Sequence, residues 1–166
     1  MKKGRYLTTV ELQKESMKFS IGHTTIFSAT EREPLHGHMY TVFLGLTTWV
    51  GDNGLTFDYR YYKERILKLC RQLNQFFLMP AFSPHLQHSE DDDYHYFTFN
   101  HKKIPFLKED VKIMPLTNIT VEELSRWLVE ELIKDKEELD KHLIEKVLVK
   151  VFSAPGQSGS FEWQRP

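Results

Sequence analysis

Alternating apolar and polar positions mark the first part of the chain as strand. Between Lys18 and Thr24, residues Phe19, Ile21 and His23 fall on one side of an extended backbone, with Lys18, Ser20 and Gly22 on the other. A polar stretch, Ser28 to Pro34, separates this strand from a longer one predicted over His36–Val50, where His36, His38, Tyr40, Val42, Leu44 and Leu46 share a face. Gly51-Asp52-Asn53-Gly54 reads as a turn, and Leu55-Thr56-Phe57 as a short return strand. Together these predict an antiparallel meander.

The period then changes from two to 3.6. Tyr62, Ile66, Leu69 and Leu73 recur at helical spacing, with Asp58 at the N-cap position and the end near Leu73. Residues 78–93 read as a loop, Tyr94–Phe99 as a short strand, and Asn100-His101-Lys102-Lys103 as its turn. Thr120-Val121-Glu122-Glu123 is a capping box, followed by the stripe Val121, Leu124, Leu128 and Leu132. This second helix ends or frays between Lys134 and Lys141. Val147, Val149 and Val151 alternate in a last long strand broken by Pro155-Gly156, and Phe161-Glu162-Trp163 can add a terminal one. Strands and helices that do not strictly alternate spell an α+β class.

Length and composition narrow the function classes. At 166 residues the chain suits a single domain over 1–166, with residues 1–16 as an N-terminal extension or first strand. A hydrophobic share of 40% can build a core, which argues against disorder. The formal net charge of −1 does not suggest a nucleic-acid partner. No run approaches the roughly 20 apolar residues of a membrane span, and the basic N-terminus lacks a signal-peptide apolar stretch. A soluble setting, cytoplasmic by default and open to an organelle, is expected. The single cysteine, Cys70, excludes an intrachain disulfide or a cysteine-based zinc finger, so a metal site must be built mainly from the 8 histidines and from carboxylates.

His36 and His38, two apart on one strand, project from the same face, and His23 on the preceding strand has the parity to join them across a hairpin. Three converging imidazoles suit Zn²⁺ with a fourth position open, the arrangement of catalytic zinc sites. They are equally compatible with satisfied or surface histidines. His85 and His88 lie three apart in a proline-bounded loop with no third ligand suggested, and His95, His101 and His142 read as structural or solvated.

Phe19-Ser20-Ile21-Gly22-His23, Leu35-His36-Gly37-His38-Met39-Tyr40, Phe57-Asp58-Tyr59-x-x-x-Lys63, Asn118-Ile119-Thr120-Val121-Glu122-Glu123-Leu124 and Ala154-Pro155-Gly156-Gln157 occur in this order. Together they resemble the 6-pyruvoyltetrahydropterin synthase family. The resemblance implies a tunnelling fold, a four-stranded antiparallel sheet with two helices on one face. It also implies trimers or hexamers whose sheets close a barrel, with active sites at subunit interfaces. It further implies Zn²⁺ held by His23, His36 and His38, and a carbon–oxygen lyase acting on 7,8-dihydroneopterin triphosphate.

Typical members carry a catalytic cysteine shortly before His-Gly-His; this chain has Glu31-Arg32-Glu33-Pro34-Leu35 there. The pattern resembles the variant branch in which glutamate replaces cysteine, associated with cleavage to 6-hydroxymethyl-7,8-dihydropterin for folate synthesis. Glu33 is then the candidate general base, workable near neutral pH if burial raises its pKa while zinc pulls it down. Glu31 is a weaker stand-in. Thr120 and Glu122 become candidate pterin contacts. Where the family carries an Asp-His relay this chain has Asn74 and Gln75, and where it carries a pterin-anchoring Glu it has Ser153. Neither amide titrates usefully. These departures support an alternative, a catalytically degenerate member serving as a zinc-containing binding or structural subunit. A related enzyme with a different substrate is a further alternative, in which Asn74, Gln75 and Ser153 reshape the pocket.

Overall fold

A computed structural model describes residues 6–166. Its elements, in chain order, are β1 (Tyr6–Leu12), β2 (Lys18–His23), β3 (His36–Val50), α1 (Arg60–Leu73), β4 (Phe76–Pro80), β5 (Gln87–Glu90), β6 (Tyr94–Phe99), β7 (Lys102–Leu107), β8 (Val111–Met114), α2 (Val121–Leu132), α3 (Lys136–Lys141), β9 (Ile144–Ala154) and β10 (Gln157–Gln164). Strands and helices are mixed without strict alternation, the expected α+β class.

β3 organises the main sheet. Its first half pairs antiparallel with β2, its second half with β1, and the opposite edge with β9, which in turn pairs with β10. β1 and β2 thus act as one interrupted strand, completing a four-stranded antiparallel unit. The anticipated return strand at Leu55–Phe57 is not formed: Gly51 N–H donates to Leu55 O (2.7 Å), closing a loop, and β1 is the partner of that half of β3. Residues 6–12 are therefore a strand rather than an extension, and residues 1–5 lie outside the described part.

The sheet is wider than expected. β4 lies parallel to β2 and β8 parallel to β4, giving seven strands in all, and β5–β6–β7 form a separate three-stranded sheet. β5 and the last three residues of β4 fall in the stretch 78–93 read as loop. Phe76-Phe77-Leu78-Met79-Pro80 has no alternation to read, because a parallel strand covered on both faces needs none; Leu78 and Met79 are fully buried. The turn after β6 is only Asn100-His101, both with positive φ (45° and 63°), so Lys102 and Lys103 begin β7 instead.

α1 ends at Leu73 as expected, but Tyr59 is its N-cap and makes no side-chain cap; Asp58 instead accepts the N–H and guanidinium of Arg60. In α2 the capping box forms, with Thr120 Oγ1 accepting from Glu123 N at 3.3 Å. The charged segment after it turns into a third, short helix, α3, capped by Asp135. The core joins Tyr62, Ile66 and Leu73 of α1 and Leu124, Leu128 and Leu132 of α2 to Phe19, Val42, Leu44, Val147 and Val149 of the sheet. Both long helices thus cover one face of the sheet. Truncating Leu128 to Ala inside this packing costs about 2–5 kcal/mol. No helix among the described residues is long and apolar enough to cross a membrane.

Candidate metal centre

The register of β2 against β3 pairs His23 directly with His36 and Ile21 with His38. The three rings meet on one side of the ribbon with centroids 4.5, 5.3 and 4.8 Å apart. Two of the three outer nitrogens, those of His23 and His36, are already committed. His23 Nδ1 lies 2.8 Å from Ile119 O, and His36 Nδ1 lies 2.8 Å from Pro34 O. Donation to a backbone carbonyl fixes the tautomer and turns Nε2 toward a ligand, the outer-shell arrangement of metal-bound histidines. His36 Nε2 and His38 Nε2 are 3.0 Å apart, and His23 Nε2 faces Tyr40 Oη at 3.1 Å. Burial, partly offset by the Ile119 carbonyl, lowers the His23 pKa and favours the neutral, ligating imidazole. The donor set therefore fits a Zn²⁺ ion in chemistry and orientation.

Glu33 is brought to this cluster by the loop between β2 and β3. Glu33 N donates to Thr25 O (2.9 Å), Thr24 Oγ1 to Glu33 O (2.7 Å), and Thr25 N to Glu33 Oε2 (3.3 Å). The loop is tied to the start of α2 by Asn118, which accepts from Ile26 N and donates to Ile26 O. Glu33 Oε2 stands 3.9 Å from His36 Nε2. Its pKa is lowered, first by hydrogen bonding to Thr25, which together with the smaller effect of His36 and His23 outweighs burial. The raised value anticipated from burial is thus not found: the side chain keeps 38% of its surface exposed. Glu31 is exposed, and its carbonyl closes the loop by accepting from Phe27 and Ser28.

A cavity of about 250 Å³ opens over the histidines, lined among others by Glu33, Tyr40, Thr120, Glu122, Ser153 and Gln157. The start of α2 supplies Thr120 and Glu122 because β10 lets it come close. A Cβ on Gly159 would lie 2.7 Å from the Glu122 nitrogen, so only glycine leaves room there. Thr25, Tyr40 and Gln157 were not singled out from the sequence. Tyr40 was legible on the His36–His38 face and Gln157 closed the Ala154–Gln157 motif without a role of its own, whereas Thr25 carried no local signal.

Asn74 and Gln75 are not part of this cavity within one chain. Asn74 Oδ1 accepts from Ser20 N (2.8 Å), and Gln75, with φ of 68°, donates its N–H to Ser20 O (2.7 Å). Gln75 lines a recess shared with Gly22, Gly37, Phe77 and Asp110. Cys70 is buried in the core, where desolvation pushes its thiol pKa up to about 12, so it remains an unreactive packing group.

A sequence model of the 6-pyruvoyl tetrahydropterin synthase family matches residues 11–162. The Plasmodium vivax 6-pyruvoyl tetrahydropterin synthase structure is similar at 26% identity, covering 97% of this chain and 100% of that one, with a TM-score of 0.91. A second P. vivax structure, 25% identical with the same coverage and TM-score, has a glutamate described as a catalytic residue replaced by alanine. A Methanocaldococcus jannaschii protein provisionally named 6-carboxy-5,6,7,8-tetrahydropterin synthase is 24% identical over 146 residues, covering 87% of this chain and 89% of its own.

Proposed function

The chain belongs to the 6-pyruvoyl tetrahydropterin synthase family, and from that premise we propose that it is a zinc-dependent lyase acting on 7,8-dihydroneopterin triphosphate, with 6-hydroxymethyl-7,8-dihydropterin as the pterin product. The observation that carries this reading is a carboxylate held beside the histidine cluster: Glu33 Oε2 is 3.9 Å from His36 Nε2 and lines the same cavity as Thr120 and Glu122. Glutamate in a catalytic role in the P. vivax relative supports it. His23, His36 and His38 would hold zinc through their Nε2 atoms, and bound zinc supplies Lewis-acid polarisation of the substrate's side-chain oxygens.

Within this reading Glu33 accepts a proton from the substrate side chain. Its lowered pKa keeps it ionised and ready to do so at neutral pH. Glu122 accepts from the pterin's amino and ring N–H groups, and the Thr120 hydroxyl donates into the cavity while capping α2. Ser153 contributes one hydroxyl where a carboxylate would form a charge-assisted pair, a difference of about 1.5–3 kcal/mol in binding. Subunits are expected to assemble as trimers or hexamers with their sheets closing a barrel, which light scattering tests as three or six times the 19.7 kDa chain mass.

Incubation of zinc-loaded protein with dihydroneopterin triphosphate, reading pterin products and released triphosphate, tests the function. Absence of both product and pterin binding would overturn it. A second reading, a degenerate zinc-containing binding or structural subunit, is favoured by one feature: Asn74 Oδ1 is engaged by Ser20 N, and its amide cannot relay protons as a carboxylate can. Pterin binding without turnover would select this second reading.

A further inference from the structure

Away from the three-histidine centre, the separate three-stranded sheet gathers a second set of metal-binding side chains. β5 and β6 pair so that Glu90 is opposite His95 and His88 is opposite Phe97. Alternation puts His88 and Glu90 on one face of β5, and His95 and Phe97 join them from β6. His88 Nε2 is 3.0 Å from His95 Nδ1, and the same His95 nitrogen is 3.0 Å from Glu90 Oε2. The three ligand atoms all lie within 4.8 Å of one another. The sequence suggested no further ligand for His85 and His88 and read His95 as structural or solvated; strand register now brings His95 and Glu90 to His88, and His85 is outside the cluster.

The arrangement is held in place by its surroundings. The His88 ring stacks on Phe97 at 5.0 Å and 25°, and Phe97 is fully buried beside Met79 and Val111. Asp91 Oδ1 accepts from Asp93 N and Tyr94 N, closing the turn that sets the register. One hydrogen on His95 Nδ1 would have to serve two acceptors, His88 Nε2 and Glu90 Oε2, each 3.0 Å away. A cation among the three atoms would instead meet a lone pair from each of them. The family's own histidine cluster gives a yardstick within the molecule, since His36 Nε2 and His38 Nε2 are also 3.0 Å apart.

We propose that His88, Glu90 and His95 form a second divalent transition-metal site, open to solvent and selective for zinc-class ions. Two imidazoles and one carboxylate are borderline donors that suit Zn²⁺ over Mg²⁺ or Ca²⁺, which prefer all-oxygen sets. Lys108 Nζ lies 3.8 Å from Glu90 Oε2 and competes with the cation for that carboxylate. The site is therefore weaker than the less exposed three-histidine set. Its remaining coordination positions face solvent, where water or an anionic group of a ligand completes the shell.

Equilibrium dialysis of the full chain against graded free Zn²⁺, with bound metal counted by mass spectrometry, tests this. The expected result is a second, weaker equivalent of zinc that His88→Ala and His95→Gln each abolish and His36→Ala leaves in place. Saturation at a single equivalent, or a weaker equivalent that survives His88→Ala, would overturn the site. So would displacement of that equivalent by excess Mg²⁺. Should His95→Gln disturb the hairpin, His88→Ala, at an exposed ring, decides alone. In unsubstituted protein already loaded with one equivalent of Zn²⁺, a further equivalent of Co²⁺ should also broaden the His88 and His95 imidazole resonances, and unaffected His88 and His95 signals would count against it.

Discussion

Glu33 Oε2 and His36 Nε2 stand 3.9 Å apart, a carboxylate and a ring nitrogen three residues apart on a turn rather than a helix. Pro34 lies between them and sets the ring, because its carbonyl takes the other His36 nitrogen at 2.8 Å. Glu33 is tied from the opposite side by Thr25, so the separation is determined from both ends of the turn. The carboxylate thus reaches the space where a ligand on the histidines would sit.

Replacing this carboxylate should affect chemistry more than binding. Glu33→Gln is expected to lower kcat about 100- to 10,000-fold with little change in KM, the usual span for loss of a general base. Product formation from dihydroneopterin triphosphate measures it. Full activity in the variant would remove Glu33 from the mechanism.

Metal retention should depend on the cluster as a unit. His36→Ala is expected to lose the equivalent of zinc that survives extensive dialysis of the unsubstituted protein, because two ligands cannot complete the tetrahedral set. Strong chelator should remove the same equivalent and abolish turnover, and added Zn²⁺ should restore it. Metal analysis paired with an activity assay checks both arms.

Gly159 should matter at a distance from any reacting atom. Alanine there must push the Glu122 nitrogen and the Val121 carbonyl carbon, both 2.7 Å from the added methyl, which overpacks the β10–α2 contact by about 1–3 kcal/mol. Denaturant unfolding should register the loss. Pterin affinity should fall as well, since Thr120 and Glu122 ride on the displaced end of α2. Unchanged stability and unchanged affinity would mean the strand yields without cost.

Acid should loosen the start of α2. Glu123 accepts from Arg126, Thr117 N and Thr117 Oγ1, and chiefly the Arg126 contact lowers its pKa below the ordinary 4.5. A depressed carboxylate adds stability above its unfolded pKa and loses it as pH falls through the folded value. Glu123→Gln should therefore be less stable than the unsubstituted protein at pH 7, by about 1 kcal/mol. The gap should close as pH drops below about 4.5. Parallel unfolding curves at all pH values would refute the assignment.

How much of this was legible in the sequence follows from the range of each signal. Period-two alternation put His36 and His38 on one face and gave His23 the same parity, and the Thr120–Glu123 capping box marked the start of α2. Those are properties of neighbouring residues, fixed by backbone geometry whatever the rest of the chain does. Tertiary structure alone decided the His23–His36 register, the approach of Ser153 and Gln157 to the cavity, and the direction of the Glu33 pKa shift. It also drew β4 out of an apparent loop and set His95 against Glu90. Each of these depends on which distant strands pair and where they stop, and the free energy that selects a register is distributed over the whole sheet and its core rather than carried by any local pattern.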